Sequence, residues 1–309
     1  MSQATTVILE PVNDAAAEDA SRWQGWLPLA VLPWVALALV PADWPRWAVM
    51  WSLALTIFFA CKWLTWRRTP CAAAPWWRQA GYLLTWPGMD APSFFDGTRR
   101  TVRPRWSEWL LAGGNVLLGT MLVDVAARGL PQIDSLWVQG WLGIAGIALA
   151  LHFGAFHLLS CAWRSLGVDA QPVMHWPLAA TSLGDFWGRR WNMAFRDLAH
   201  RFAFRPAAAR WGAAAGVWAA FLASGVIHDL VLSLPARGGY GAPTVYFLVQ
   251  AVGVFTERSR LGRRCGLGHG VRGRLFTFAV LLSPVELLFH RPGLERVIVP
   301  FIRAIGGGP

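Results

Sequence analysis

The sequence predicts an all-α protein, a polytopic bundle of about seven to eight membrane helices with one amphipathic helix on its cytoplasmic side. Three observations predict it. Of the 309 residues 55% are hydrophobic and only 15% are charged, against roughly 25% charged in a soluble domain. Apolar runs recur at about the 20 residues that cross roughly 30 Å of hydrocarbon. The basic residues crowd into alternate connections between those runs.

The runs are 26–40, 44–61, 109–127, 136–161, 211–234, 240–256 and 275–290. The first is short and contains Pro28 and Pro33, so it is expected to be tilted or half-inserted. A last stretch, 294–305, is too short to span and is expected to lie in the interface. Residues 1–25 are polar and acidic, with Glu10, Asp14, Glu18 and Asp19. They lack the basic start and apolar core of a signal peptide and read as a flexible cytoplasmic tail. Residues 26–309 read as one integral membrane domain without an internal repeat.

Eight basic residues fall in 62–108, seven in 164–210 and six in 258–274, while Arg46, Arg128 and Arg237 stand alone in the connections between. By the positive-inside rule the three rich loops and the N-terminus are cytoplasmic, as in a bacterial inner membrane. This distribution also accounts for the net charge of +11 without a nucleic-acid partner. Cys61, Cys71, Cys161 and Cys265 contain no Cys-x-x-Cys and no zinc spacing, and reduced thiols are expected on that side. Tryptophans such as Trp26, Trp44, Trp109 and Trp211 mark span ends as an interfacial belt.

One stretch departs from the aliphatic background: SLGDFWGRRWNMAFRDL, residues 182–198. Ser182 followed by Asp185 resembles a capping box. Trp187, Trp191, Phe195, Leu198 and Phe202 then recur at four- and three-residue steps as one apolar stripe. Asp185, Arg189, Asn192 and Arg196 take another face, with Asp185 and Arg189 spaced to pair. A continuous amphipathic helix at the cytoplasmic interface is expected. Headgroup anchoring explains its arginines, but periodicity does not explain Asn192.

The fifth run, 211–234, carries His228 and Asp229 far inside it. Ionisable groups at such depth face a bundle interior or a wet cavity and mark functional sites. Ser224 and Gly225 share the histidine's face, Gly225 leaving space and Ser224 offering a hydroxyl to the ring or backbone. Asp229 points about 100° away and is a poor candidate to orient His228. Glu286, after Pro284, is a second candidate for the same cavity. His175, His200, His269 and His290 lie in loops or at ends and read as solvated. His152 and His157 are five apart, and no His-x-x-x-His occurs, which argues against a di-iron oxidase.

The run PLAATSLGDFWGRRWN (177–192), followed by FLASGVIHDL (221–230), resembles the signature of the wax-synthase branch of the membrane-bound O-acyltransferases. WPGMD (86–90) and LFHRPGLERVIVPF (288–301) resemble bacterial members of that branch. The resemblance implies that His228 is the catalytic histidine and Asn192 its polar partner. It also implies transfer of a fatty acyl group from acyl-CoA, as co-substrate, to the hydroxyl of a lipophilic alcohol, with no metal and no cofactor. Asp229 stands where many relatives have Glu.

On this reading His228 acts as general base and Asn192 as an oxyanion-type donor. Arg189 and Arg190 meet the phosphates of coenzyme A. Asp185, Arg189 and Asn192 then form the cytoplasmic lip of an acyl-transfer tunnel, with Trp187, Trp191 and Ser224 as further substrate-binding candidates. In an ideal helix His228 lies roughly 26 Å from Trp211, so Asn192 reaches it if the interfacial helix is re-entrant, the expected placement, or if the bilayer thins; otherwise the two act at different depths along one tunnel. The competing class is a transporter or scaffold in which His228 relays protons or only packs.

Overall fold

The computed structural model describes residues 25–70, 74–128 and 135–306, which are helical without a strand. Cys71 and residues 1–24 of the expected tail lie outside the described residues. The framework consists of α1 (Leu27–Leu39), α2 (Arg46–Arg67), α3 (Trp76–Leu84), α4 (Trp106–Arg128) and α5 (Leu136–Ser165). It continues with α6 (Met193–Ala199), α7 (Ala213–Ala236), α8 (Ala242–Arg258), α9 (Gly270–Leu282) and α10 (Val299–Ile305).

Among the described residues four helices are long and apolar enough to cross a membrane: α2, α4, α5 and α7. The other three expected runs form α1, α8 and α9, of 13, 17 and 13 residues. The last is a correction: α9 stops at Leu282, and Val285–Leu288 forms a separate turn after Pro284. That break leaves Glu286 exposed and not buried in a shared cavity.

Close helix crossings rest on glycine. A Cβ on Gly119 of α4 would lie 2.4 Å from the backbone N of Ala150 in α5. One on Gly225 of α7 would lie 2.5 Å from Thr244 Cα in α8. Small residues allow this approach where no hydrophobic drive between helices exists. Gly225 therefore serves helix packing and does not leave room beside the histidine ring.

The C-terminal stretch also departs from expectation. Leu294, Val297, Ile298 and Ile302 are buried with Met50, Val123, Ala126 and Leu232 and do not lie flat in the interface. The physical reason is a notch in α5: a Cβ on Gly143 would overlap Ile302. A segment too short to span is thereby wedged among helices that do.

On the side where the basic loops lie, Lys62 is fully buried, the one lysine in the chain. Its Nζ donates to the Gly88 carbonyl at 2.6 Å and sits 3.3 Å above the Tyr82 ring. This holds the 86–90 loop so that Met89 joins Ile57, Cys61 and Leu198, against which Ile227 packs. Cys61, Cys161 and Cys265 are free.

Candidate functional site

His228 closes the α-helical part of α7; the next five residues, Asp229–Ser233, form a π turn. Such turns insert one residue into a helix and recur at functional sites. The His228 Nδ1 lies 2.7 Å from the Ser224 carbonyl oxygen. A carbonyl only accepts, so in the neutral ring Nδ1 carries the proton and Nε2 keeps a free lone pair. The Ser224 hydroxyl bonds the Ala220 carbonyl instead of the ring, so Ser224 contributes its backbone. The ring is half-buried and lies 4.7 Å from the ring of Phe247 on α8.

Asp229 does not touch His228, as its helical position predicts. Its carboxylate accepts from the Ser233 hydroxyl (2.9 Å), Gly241 N–H (2.8 Å), Thr244 N–H (3.1 Å) and Thr244 hydroxyl (2.5 Å). It thus caps the start of α8 from a neighbouring helix. Ser233 also meets His290 Nε2 at 3.0 Å, while His290 Nδ1 accepts from Gly293 N–H. His290 is therefore buried and fully engaged, not solvated. A Cβ on Gly239, at φ +72°, would lie 2.4 Å from the His290 ring, so only glycine fits there.

The 182–198 stretch is not the single helix its periodicity suggests. Ser182 Oγ accepts from Asp185 N–H at 2.9 Å, the first half of a capping box. The second half is missing because Asp185 turns to Arg189 (3.0 Å) and Arg190 (2.5 Å). A π turn at Phe186–Arg190 makes both reachable, since it stacks the fifth residue as well as the fourth over the first. The helix then breaks. Asn192 adopts left-handed φ 44°, and its Oδ1 caps α6 by accepting from Phe195 N–H. Backbone bonds His175 N to Arg190 O and Met193 N to Val173 O, both 2.8 Å, fasten the break to the preceding loop. Asparagine is among the few side chains that tolerate this conformation and cap a helix.

From Asn192 the chain returns as α6, a π turn at His200–Phe204 and a helix at Arg205–Trp211, then reverses at Gly212 into α7. A Cβ on Gly216 would lie 2.8 Å from the Phe204 ring, which fixes the register of the two arms. Asn192 lies twelve residues before Phe204, and His228 twelve residues after Gly216. Each arm counts twelve residues from that contact, about 18 Å of helix.

The same segment is tied at its start to the end of α8. Glu257 accepts from the N–H groups of Leu183 (2.7 Å) and Gly184 (2.8 Å). Between these ties and Asn192 runs a line of rings: Trp191 stacks on Phe186 (5.5 Å), Phe186 meets Trp187 (5.0 Å), and Trp187 meets Phe247 (5.6 Å). Trp187 and Trp191 thus face inward and link the segment to the histidine. A pocket of about 430 Å³ opens beside Glu257, lined by Ser182, Gly184, Asp185, Arg189, Arg258 and Arg263 among others. Arg189 is exposed toward it, whereas Arg190 is half-buried and also reaches the carbonyls of His175 and Trp176. Arg190 is therefore committed to the fold, and of the two expected phosphate ligands only Arg189 faces the pocket.

Phe247, Glu257, Arg258 and Arg263 escape the sequence reading. Each sits in an ordinary context, an apolar span or a basic loop, and only packing brings them to the 182–192 segment. One further group, Glu108, His157 and Cys161, has ligand atoms within 4.8 Å of one another. Arg164 lies 2.5 Å from Glu108 Oε2 and 3.6 Å from Cys161 Sγ. The guanidinium takes the cation's place, so this donor set does not fit a metal.

Residues 170–250 match the membrane bound O-acyl transferase family. Both runs that carry the wax-synthase resemblance, 177–192 and 221–230, fall within that match. The chain is 38% identical over 140 residues to the probable long-chain-alcohol O-fatty-acyltransferase 8 of Arabidopsis thaliana, covering 42% of this chain and 41% of the relative. It is 32% identical over 130 residues to the corresponding protein 3 of that plant, covering 36% and 38%. The long-chain-alcohol O-fatty-acyltransferase of Simmondsia chinensis is 36% identical over 77 residues, 22% of each chain. The chain thus spans less than half the length of these curated relatives.

Proposed function

We propose that this chain, whose residues 170–250 carry the membrane bound O-acyl transferase match, transfers a fatty acyl group from acyl-CoA to the hydroxyl of a lipophilic alcohol, releasing a wax-type ester. The observation that carries the reading is the His228 Nδ1 to Ser224 carbonyl bond at 2.7 Å, which leaves Nε2 as a base inside an apolar helix. Nε2 takes the alcohol proton as the oxygen attacks the thioester carbon. The tetrahedral oxyanion collapses, the C–S bond breaks, and the departing thiolate recovers the proton from the imidazolium. No metal or cofactor enters these steps.

Asn192 supports the reading as well. Its Oδ1 is occupied by Phe195 N–H, so its amide N–H groups remain to donate to the developing oxyanion. Trp187, Trp191 and Phe247 form an apolar wall for the acyl chain. The alternation of basic loops favours an inner-membrane protein with a cytoplasmic N-terminus, so the thioester approaches from the side of Arg189.

The test is direct. Purified protein is given labelled acyl-CoA and a series of long-chain alcohols, and neutral esters are separated. Ester is expected from the parent protein and a fall of roughly a hundredfold or more with His228→Ala. Ester formation that survives the substitution overturns the base assignment. Absence of ester with every hydroxyl acceptor overturns the acyltransferase reading in favour of a transporter or scaffold.

A further inference from the structure

Along the chain Arg46 and Arg237 stand alone in two connections away from the basic loops, each an isolated charge. The fold brings them together. α2 begins at Arg46 and α7 ends at Ala236, so two spans terminate on the same face of the bundle, opposite the basic loops. Arg46 Nη1 donates to the Ala236 carbonyl at 2.9 Å. Arg296, from the C-terminal segment, donates through Nη1 to the same oxygen at 3.1 Å and to the Arg237 carbonyl at 3.2 Å. Arg237 closes α7 in the left-handed conformation, φ 50°, and is exposed on that turn.

The charge gathered here exceeds what a helix cap needs. A helix C-terminus carries about half a negative charge, which one guanidinium satisfies. Two guanidinium nitrogens share one carbonyl oxygen and so lie within about 6 Å of each other. Arg237 adds a third positive charge. Among the described residues none of the three has an ion-pair partner. Glu295, beside Arg296, is taken by Arg291 at 2.7 Å, and Asp229 is spent on Ser233, Gly241 and Thr244. Asp43, just before α2, is exposed and pairs with none of them. Like charges this close repel unless an anion lies between them. Nε and Nη2 of Arg46 and Arg296 remain to donate, and guanidinium forks match phosphate oxygens bidentately.

Position selects the source of the phosphate. Arg46 is the first residue of one span and Ala236 the last of another, so the cluster sits where hydrocarbon gives way to headgroups. Trp44 and Tyr240, both exposed, flank it in sequence as interfacial anchors do. Apolar surface continues from it along α2, where Trp47 and Trp51 lie against Phe301. A phospholipid places its phosphate at this level and its acyl chains along such a surface.

We infer that Arg46 and Arg296, with Arg237, form a binding site for the phosphate of a phospholipid headgroup on the face opposite the basic loops. The site joins α2, α7 and the C-terminal segment, and its residues take no part in the proposed acyl transfer. Inorganic phosphate offers the same chemistry, and the test distinguishes the two sources.

The protein is purified in a maltoside detergent, which carries no phosphate, and thermal unfolding is followed as phosphatidylglycerol, diacylglycerol or inorganic phosphate is titrated in. Phosphatidylglycerol is expected to raise the melting temperature saturably, and diacylglycerol, which lacks the phosphate, is not. In Arg46→Gln/Arg296→Gln each glutamine keeps a donor for Ala236 and loses the charge. There the half-saturating lipid concentration is expected to rise roughly tenfold or more, given the strength of charge-assisted bonds. Arg128→Gln, on the same face but paired with Asp124 in the parent, is expected to leave it unchanged. Arg296→Gln alone leaves Arg46 on Ala236 and is expected to lie between; it carries the test if the double variant does not unfold cooperatively.

An unchanged half-saturating concentration in these variants overturns the inference. So does an equal rise with diacylglycerol, which reports the apolar chains alone. An equal rise with inorganic phosphate overturns it too, by assigning the site to a soluble anion.

Discussion

Two aspartates open or precede π turns in this protein, and they do opposite work. Asp185 precedes the turn Phe186–Arg190 and binds two guanidinium groups. Asp229 begins the turn Asp229–Ser233 and accepts only neutral N–H and O–H donors. The backbone device is the same, an extra residue per turn that brings distant donors onto one carboxylate. The surroundings decide its use. Near the basic loops the aspartate organises cations around a pocket, while deep in the bundle it fastens one helix start to another. Asn192 and His228, on which the chemistry is proposed to depend, each lie close to one of these turns.

The largest expected effect separates backbone from side chain at the end of the first turn. Asn192→Gly accommodates φ 44° without strain, and Asn192→Ala does not. Both remove the amide, so ester formation is expected to fall roughly a hundredfold in each. Only the alanine variant is expected also to lose about 1–2 kcal/mol in thermal unfolding. Full activity in the glycine variant would reduce Asn192 to a cap.

At the second turn, Asp229→Ala strands four donor contacts around Ser233, Gly241 and Thr244 and is expected to cost about 2–3 kcal/mol of stability. Asp229→Asn keeps one acceptor and is expected to cost less. Equal melting temperatures for the two would show that the carboxylate is not the fastener. Asp185→Asn is expected to cost only about 1 kcal/mol, since the Arg189 partner is largely exposed. A cost as large as at Asp229 would erase the contrast between the turns.

The smallest effect concerns pH. Burial raises the Asp197 carboxyl, on the returning arm, from the ordinary 3.8 to about 6. The folded state therefore binds this proton more tightly than the unfolded one. The associated stability is complete below about 4 and is lost as pH rises through about 6. Parent protein is expected to melt lower at pH 7.5 than at pH 5 by up to about 2 kcal/mol, and Asp197→Asn is expected to flatten that slope. An unchanged slope in the variant would place the titration elsewhere.

Much of this protein is legible in the sequence. Apolar run length and the paucity of charge give the membrane helices, and the depth of His228 in one of them marks it without any neighbour being known. The resemblance in 177–192 and 221–230 falls within the family match for the same physical stretch. Even the break at Asn192 had a local signal, because asparagine favours both the left-handed conformation and the helix cap. The continuous amphipathic helix was expected because periodicity reports side-chain faces and is blind to a π turn followed by a single left-handed residue.

Tertiary structure decided the rest. Glycine contacts at Gly143, Gly216 and Gly225 set helix approach distances that no local pattern encodes. They wedge the short C-terminal stretch into the core and set the register of the arm that carries Asn192 against α7. The convergence of Arg189 with Arg258 and Arg263 depends on Glu257 holding Leu183 and Gly184, residues more than seventy positions away. Composition and period are properties of neighbours along the chain, whereas a pocket is made by groups whose nearness only packing creates.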